Sequence, residues 1–583
     1  MDKYYSKERN VQIVISLLKK YSIKRVIVSP GATNVTFVAS LMHDSYFQLY
    51  SCVDERSAAY MACGMAEESG EPVVLSCTGA TASRNYLPGL TEAYYRKLPV
   101  IAITSTQNTH RIGNLIAQVI DRSVIQNDVA IYSYLAESIT DVESERACVI
   151  NVNKALYLAT ARCGGPVHIN LQTFYSSDYS VKKLPETLKI GFYKYGDTLP
   201  VIPQGRVGVF VGAHKKFSAE ETAAVDSFCA QYDAVVFCDH TSGYKGKYRF
   251  LAALLGSQAY CDYGKLKMSL VIHIGEVSGD YFTHSIISKC DSIWRVSQDG
   301  EPRDTFGKLT SVFKMSPLEF FSSYHCAPTD EKSNFLQYCK REYNSIYNSI
   351  PETLPFSNIW VAKQLALKLP ENSSLHLGIL NSLRSWNLFD VHNSVTENCN
   401  VGGFGIDGCV SSLIGASMIN NNRLYFGIFG DLAYFYDLNA MGNRHIGNNL
   451  RIMVINNGRG MEFRNYIHQA SVFGEDTDAY IAAAGHYGKQ SPKLLKHYAE
   501  DLGFEYISAS DKMSFEKSVV TFINEYNSKS VFFEVFTQCE DENQALYEIC
   551  HLKQLDGKQK VKNEVRKIIG EKGVSLLKKV IKN

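Results

Sequence analysis

Short apolar runs alternating with amphipathic stretches set the plan of this chain. Val11, Val14, Ile15 and Leu18 recur at helical spacing between Ser6 and Lys20, with Ser6 a candidate cap. Residues 25–29 (RVIVS) then read as a strand, stopped by Pro30 and Gly31. The same alternation predicts helix over 55–68, strand over 72–77, helix over 85–96 and strand over 100–104, and a last strand over 165–171 closes the first domain. Strands that alternate with helices predict a parallel sheet covered on both faces.

Between residues 175 and 205 the pattern dissolves, and Pro185, Pro200 and Pro203 interrupt any helix, which predicts a long irregular linker. Four strand-like runs, 207–211, 234–237, 270–274 and 292–296, predict a second α/β domain. A third begins near Ser357, a candidate cap for a helix over 358–369, and runs to a strand over 531–536. The expected architecture is α/β in three domains, 1–180, 200–330 and 357–545, each a mostly parallel sheet flanked by helices, with a basic helical tail over 546–583. From Lys558 that tail carries nine basic and two acidic residues with apolar positions at helical spacing. Such a stretch suits an acidic partner or a membrane surface, but a solvated helix packing its stripe on the body is the expectation.

Composition narrows the function classes. The 583 residues hold 60 basic and 59 acidic side chains, so nothing argues for nucleic acid or a charged membrane surface. Fifteen cysteines occur without a C-x-x-C pair, which fits a reduced cytoplasm better than a zinc cage or a disulfide framework. The N-terminus is polar, and no uncharged run approaches the roughly 18 residues of a membrane span.

The richest stretch runs from Gly430 to Phe463. Gly430 and Asp431 form a turn, a helix-length segment follows, and a buried strand over 450–455 ends in Asn456, Asn457 and a glycine-rich loop. Neighbouring parallel strands deliver their carboxyl ends to one edge, so this acid and asparagine suit a single hard cation. In the first domain Asp54, Glu55 and Arg56 precede a small-residue helix; acids there serve equally as helix caps. Glycine or small-residue turns at 77–85 and 400–408 admit a ligand to the backbone or simply turn the chain.

Taken together these residues resemble the thiamine-diphosphate enzymes across nearly the whole chain, with pyrimidine-binding, central and diphosphate-binding domains. The resemblance implies thiamine diphosphate and Mg2+ as cofactors, with Asp431, Asn457 and the carbonyl of Arg459 on the metal and Gly430 and Leu432 beside the diphosphate. Glu55 stands at the place of the family's catalytic glutamate, where it would share a proton with the aminopyrimidine and so activate the thiazolium carbon. Gly405 and Ile406 match the turn that bends the cofactor, although an isoleucine there also serves a core; Asn85 would lie by the cofactor and Gln118 would line the substrate pocket as a catalytic residue. Arg384, Arg459 and His110 are weaker candidates, each equally placed to be structural or solvated.

Within the family the chain is most similar to the SEPHCHC synthase subgroup, menaquinone-pathway carboligases. The matching phrases are SPG at Ser29, DERSAA at Asp54, GPVHIN at Gly165, SIWRVSQDGEPRD at Ser292, GIDG at Gly405 and GDLAYFYDLNA at Gly430, where Leu432 replaces a third glycine. The subgroup's carboxylate-holding arginines are missing: Ala32 and Thr33 follow the SPG, and Gln107, Val401 and Ile419 stand at three further positions. The expected function is a thiamine-diphosphate-dependent carboligase that decarboxylates a 2-oxo acid and transfers the acyl unit to an acceptor, with substrates different from the menaquinone enzyme's. The alternatives are a simple 2-oxo acid decarboxylase and a non-catalytic cofactor-binding homologue. A cofactor shared between the first domain of one subunit and the third of another implies a homodimer or homotetramer.

Overall fold

Continuous apolar runs become strands buried on both faces, as parallel sheets require. The computed structural model describes residues 4–162, 164–324, 334–486 and 491–553. Six strands form the first sheet: Arg25–Val28 (β1), Gln48–Ser51 (β2), Val73–Cys77 (β3), Val100–Thr106 (β4), Tyr132–Ala136 (β5) and Val167–Gln172 (β6), in the order β2-β1-β3-β4-β6-β5. Every residue of β3, β4 and β6 is buried.

The second sheet has seven strands: Gly191–Lys194 (β7), Val207–Val211 (β8), Val235–Cys238 (β9), Arg249–Leu251 (β10), Leu270–Ile274 (β11), Ser292–Ser297 (β12) and Leu309–Lys314 (β13). The third comprises Ser374–Leu377 (β14), Thr396–Cys399 (β15), Tyr425–Gly430 (β16), Leu450–Asn456 (β17), Glu505–Ala509 (β18) and Val531–Phe536 (β19), ordered β15-β14-β16-β17-β19-β18. Counted within each sheet, the first and third share one strand order. The ladders of both are parallel, so each collects its strand ends along a single edge. Each also has a point where the strand order reverses, between β1 and β3 and between β14 and β16, and ligands of open α/β sheets bind at such points.

By compactness the chain forms two units, Met1–Asp197 with Gly300–Lys314, and Thr198–Asp299 with Met315–Asn583. In the first unit the segment expected to be a loose linker is tied down. The fully buried Asn153 donates to Leu188 O (3.0 Å) and accepts from Ile190 N (2.9 Å), and β7 within that segment pairs in parallel with β13. Asn153 lies on a 19-residue helix, Val142–Thr160, that the apolar pattern alone does not announce. The first helix starts at Arg9 rather than at Ser6, whose hydroxyl instead accepts from Glu8 N (3.2 Å). Of the expected C-terminal tail, the part beyond residue 553 lies outside the described residues, and 546–550 belong to the helix Cys539–Cys550.

Helix Glu55–Ser69 packs on helix Leu87–Arg96 through small residues. A Cβ added at Gly89 would lie 2.4 Å from the Ala59 Cβ and 2.9 Å from its carbonyl carbon. Gly89→Ala therefore forces the two helices apart and is expected to lower the unfolding free energy by about 1–3 kcal/mol, read from the chemical denaturation midpoint.

Candidate functional site

Strand β16 ends at Gly430, and the helix Asp431–Asp437 begins on the next residue, so Asp431 stands at the carboxyl edge of the third sheet. Its side chain is almost wholly buried. Asp431 Oδ1 accepts from Leu432 N (2.7 Å), and Oδ2 accepts from Gly458 N (2.6 Å). Gly458 has φ +75°, a backbone region that glycine enters without strain, and this turns its N–H toward the acid. Burial pushes the carboxyl up to about 6, against the opposing pull of the N–H groups of Leu432, Gly458, Arg459 and Asn457.

The paired asparagines after β17 divide their tasks. Asn456 is satisfied on both atoms: its Oδ1 accepts from Gly458 N (3.2 Å), and its amide donates to Glu534 Oε1 (2.7 Å), whose other oxygen accepts from Tyr506 OH (2.7 Å). Asn457 leaves its Oδ1 buried with no hydrogen-bond partner. An uncompensated buried acceptor costs about 1–3 kcal/mol, so this oxygen calls for a donor or a cation. Among the described residues no three His, Cys, Asp or Glu side chains converge on a metal position. The available set is mixed and all oxygen, a buried carboxylate and an orphaned amide oxygen, which fits a hard divalent cation rather than a thiophilic one.

Two cavities flank this pair. One, of about 330 Å³, is lined by Asp431, Asn457, Arg459, Glu534, Thr537 and Gln538 among others. The other, of about 140 Å³, brings together Ile406, Gly430, Asp431, Leu432, Asn457 and Arg459, six of the residues singled out from sequence, with Gly405 beside them in the chain. The arginine side chains are already engaged. Arg384 makes a bidentate pair with Glu462 (2.8 and 3.1 Å), while Arg459 and Arg464 each bond one oxygen of Asp478 (2.8 and 2.6 Å).

The smaller cavity also exposes a group that sequence reading missed. Glu542, from the last described helix, is 8% exposed and lines it. Its carboxyl accepts from Asn358 N (3.0 Å) and Thr537 Oγ1 (2.8 Å), and burial pushes it up to about 7. No local signal marks it, because four further acidic or amide residues, Glu540, Asp541, Asn543 and Gln544, surround it in sequence.

In the first unit the acid pair sorts itself. Asp54 is the true cap of its helix, its Oδ1 accepting from Ser57 N (3.1 Å), so Glu55 is released from that task. Glu55 is half-buried and accepts from Asn85 Nδ2 (3.1 Å), which brings the two predicted cofactor residues together. Gln118 is exposed in a left-handed conformation (φ +62°), in the loop after β4. Its carbonyl lies 3.6 Å from the position a Gly79 Cβ would take, so the loop folds against the 78–81 turn. His110 is exposed on the same loop, Gln107 accepts from Arg111 Nη1 (2.6 Å), and Thr33 is buried against Thr78. Val401 is buried and Ile419 is exposed.

One edge thus offers a released glutamate, and the other a buried acid with an unpaired amide oxygen. Residues 9–132 match the family described as thiamine pyrophosphate enzyme, N-terminal TPP binding domain. Over nearly its whole length it is similar to proteins named 2-succinyl-5-enolpyruvyl-6-hydroxy-3-cyclohexene-1-carboxylate synthase, abbreviated SEPHCHC synthase. It is 28% identical to that of Bacteroides thetaiotaomicron over 568 residues, covering 94% of this chain and 99% of the relative. It is 27% identical to that of Bacteroides fragilis, with the same coverage, and 26% identical to that of Flavobacterium psychrophilum, covering 91% and 96%. Among the described residues no helix is long and apolar enough to cross a membrane.

Arg384 and Glu462 are only 12% and 16% exposed at their side chains, so each depends on the other for compensation. Arg384→Ala is expected to cost about 3–5 kcal/mol by stranding the acid. The Arg384→Ala, Glu462→Ala double variant should recover about 2 kcal/mol of that loss in denaturant titrations, as a coupled pair does.

Proposed function

We propose that this chain is a thiamine-diphosphate- and Mg2+-dependent carboligase that decarboxylates a 2-oxo acid and passes the acyl unit to an acceptor. The reading rests above all on the unpartnered Asn457 Oδ1 beside the buried Asp431 carboxylate, an oxygen pair that a magnesium diphosphate would complete. Asp431, Asn457 and the Arg459 carbonyl would hold the metal, with Gly430 and Leu432 against the diphosphate. Bound thiamine diphosphate supplies an electron sink for the carbon left when a 2-oxo acid loses carbon dioxide. Glu55 would hold a proton at the cofactor's pyrimidine nitrogen, and Asn85 keeps that carboxylate oriented. Ile406, in the smaller cavity, would keep the cofactor bent, and Gln118 would meet the substrate from the 107–131 loop.

Substrates differ from those in the relatives' names, since Thr33, Gln107, Val401 and Ile419 offer no cation where the resemblance expects arginines. Domains 1–180, 200–330 and 357–545 would act as pyrimidine-binding, central and diphosphate-binding modules of a cytoplasmic homo-oligomer, a dimer or tetramer. A simple decarboxylase is the second reading, favoured by the same loss of arginines.

The test is a panel of 2-oxo acids offered to the purified protein with cofactor and magnesium, with and without aldehyde, ketone or sugar acceptors. Acceptor-dependent release of carbon dioxide is expected; release without acceptor would favour the decarboxylase, and no release by a cofactor-binding protein would sink both. Glu55→Gln should lower kcat by about 100-fold or more with cofactor binding retained, and full activity would refute its role. Asn457→Ala should weaken magnesium-dependent binding of thiamine diphosphate about tenfold or more in calorimetry, with an unchanged fold by circular dichroism.

A further inference from the structure

The first unit carries a buried cation without a counter-ion. Arg122 is 8% exposed, and its one hydrogen bond runs from Nη2 to Ser105 O (3.0 Å). Its Nε and Nη1 are buried with no partner, and it makes no ion pair among the described residues. Ser105, whose carbonyl receives the guanidinium, is itself fully buried, with an unpartnered hydroxyl. Cys77 is near, but burial pushes its thiol up to about 12, so it is neutral and supplies no charge. The field here is positive. Burial first, then Arg122 and Arg84, press the neighbouring His168 down to about 3. Burial lowers Arg122 itself to about 10, with Arg84 adding to the effect against Cys77.

Place matters as much as charge. Ser105 belongs to the carboxyl-end segment of β4, and Arg122 lies four residues after Gln118 on the loop that follows it. Arg122 Nη2 would stand 3.6 Å from a Gly79 Cβ, so the guanidinium packs against the bare turn after β3. Thr33, at the end of β1, reaches the same turn through Gly79 N (3.0 Å). Unpaired N–H donors on two sides of one guanidinium, at the carboxyl edge of the sheet, offer a seat for an anion. A buried guanidinium without such a partner is a net cost, which points to a ligand rather than to folding as its reason.

We propose that Arg122 binds the carboxylate of the 2-oxo acid, doing from the 107–131 loop what the missing arginines do not. This rests on the function proposed above. Both free N–H groups are closed to solvent in the unliganded chain, so anion entry goes with displacement of the largely exposed loop that carries Arg122.

The experiment uses the full-length protein with thiamine diphosphate and magnesium, and compares pyruvate and 2-oxoglutarate with uncharged methyl pyruvate, by calorimetry and by steady-state kinetics. Arg122→Gln keeps an N–H for Ser105 O but removes the charge. It is expected to weaken the two anions about 30-fold or more, through KM rather than kcat, with methyl pyruvate and cofactor affinity unchanged. Arg122→Lys should recover part of the loss. The melting temperature of Arg122→Gln should stay level or rise, whereas a structural arginine would lower it. Equal affinity for the anions in wild type and Arg122→Gln would overturn the proposal, as would a loss shared by methyl pyruvate or an unfolded variant. Arg122-dependent anion binding in a wild type that decarboxylates nothing would overturn the proposed function and leave the carboxylate seat standing.

Discussion

A carboxylate buried at the end of a strand governs the third sheet's active edge. Asp431 loses its hydration there, and burial alone would favour its neutral form. What opposes that is a ring of backbone N–H groups, and they can point inward only because the chain after β17 turns sharply at Gly458. The acid therefore dictates the loop as much as the loop serves the acid. Its neighbour Asn457 ends with an oxygen that the protein does not satisfy, while Asn456, one residue earlier, donates to Glu534 and accepts from Gly458 N.

The same strand order in the first and third sheets places two such edges in one chain. In the first, Asp54 takes the capping task and frees Glu55; in the third, Gly430 caps without a side chain and leaves Asp431 for the loop. At both helix starts the cap is thus the residue before the acid, Asp54 before Glu55 and Gly430 before Asp431. Elsewhere the second unit is stiffened by charge. Glu397 accepts from His240 (3.1 Å), Lys245 (2.6 Å) and Arg249 (3.3 Å), joining the central segment to the third sheet. Burial would raise that acid, yet these partners hold it below its ordinary value.

How much of this was legible depended on locality. Gly430-Asp431 and Asn456-Asn457 lie on the turns of two neighbouring strands, so their convergence follows from parallel topology. The alternation of short apolar runs likewise announced the sheets. β7 and the helix Val142–Thr160 were not announced, because their order is enforced by a polar residue, Asn153, which no hydrophobic pattern counts. Asp54 and Glu55 were read as one acidic start, and only the hydrogen bonds assigned them separate tasks. Glu542 and Arg122 had no signal at all. Each reads as a surface charge, and its meaning comes from burial supplied by distant chain.

Two of the buried unsatisfied groups, one in each unit, are opposite in kind. Asn457 offers an acceptor with no donor, in a setting where the nearest charge is negative; Arg122 offers donors with no acceptor, where the nearest charge is positive. Each of these two adds to the sign already present, which folding alone disfavours and a bound counter-charge reverses. In the function proposed above, a cation would answer the first and a carboxylate the second, and reactant and cofactor-bound metal would be kept on separate handles, so that changing the substrate need not disturb the grip on the diphosphate. That separation gives a physical reason why a chain can keep the Asp431 and Asn457 turn while losing a set of substrate arginines.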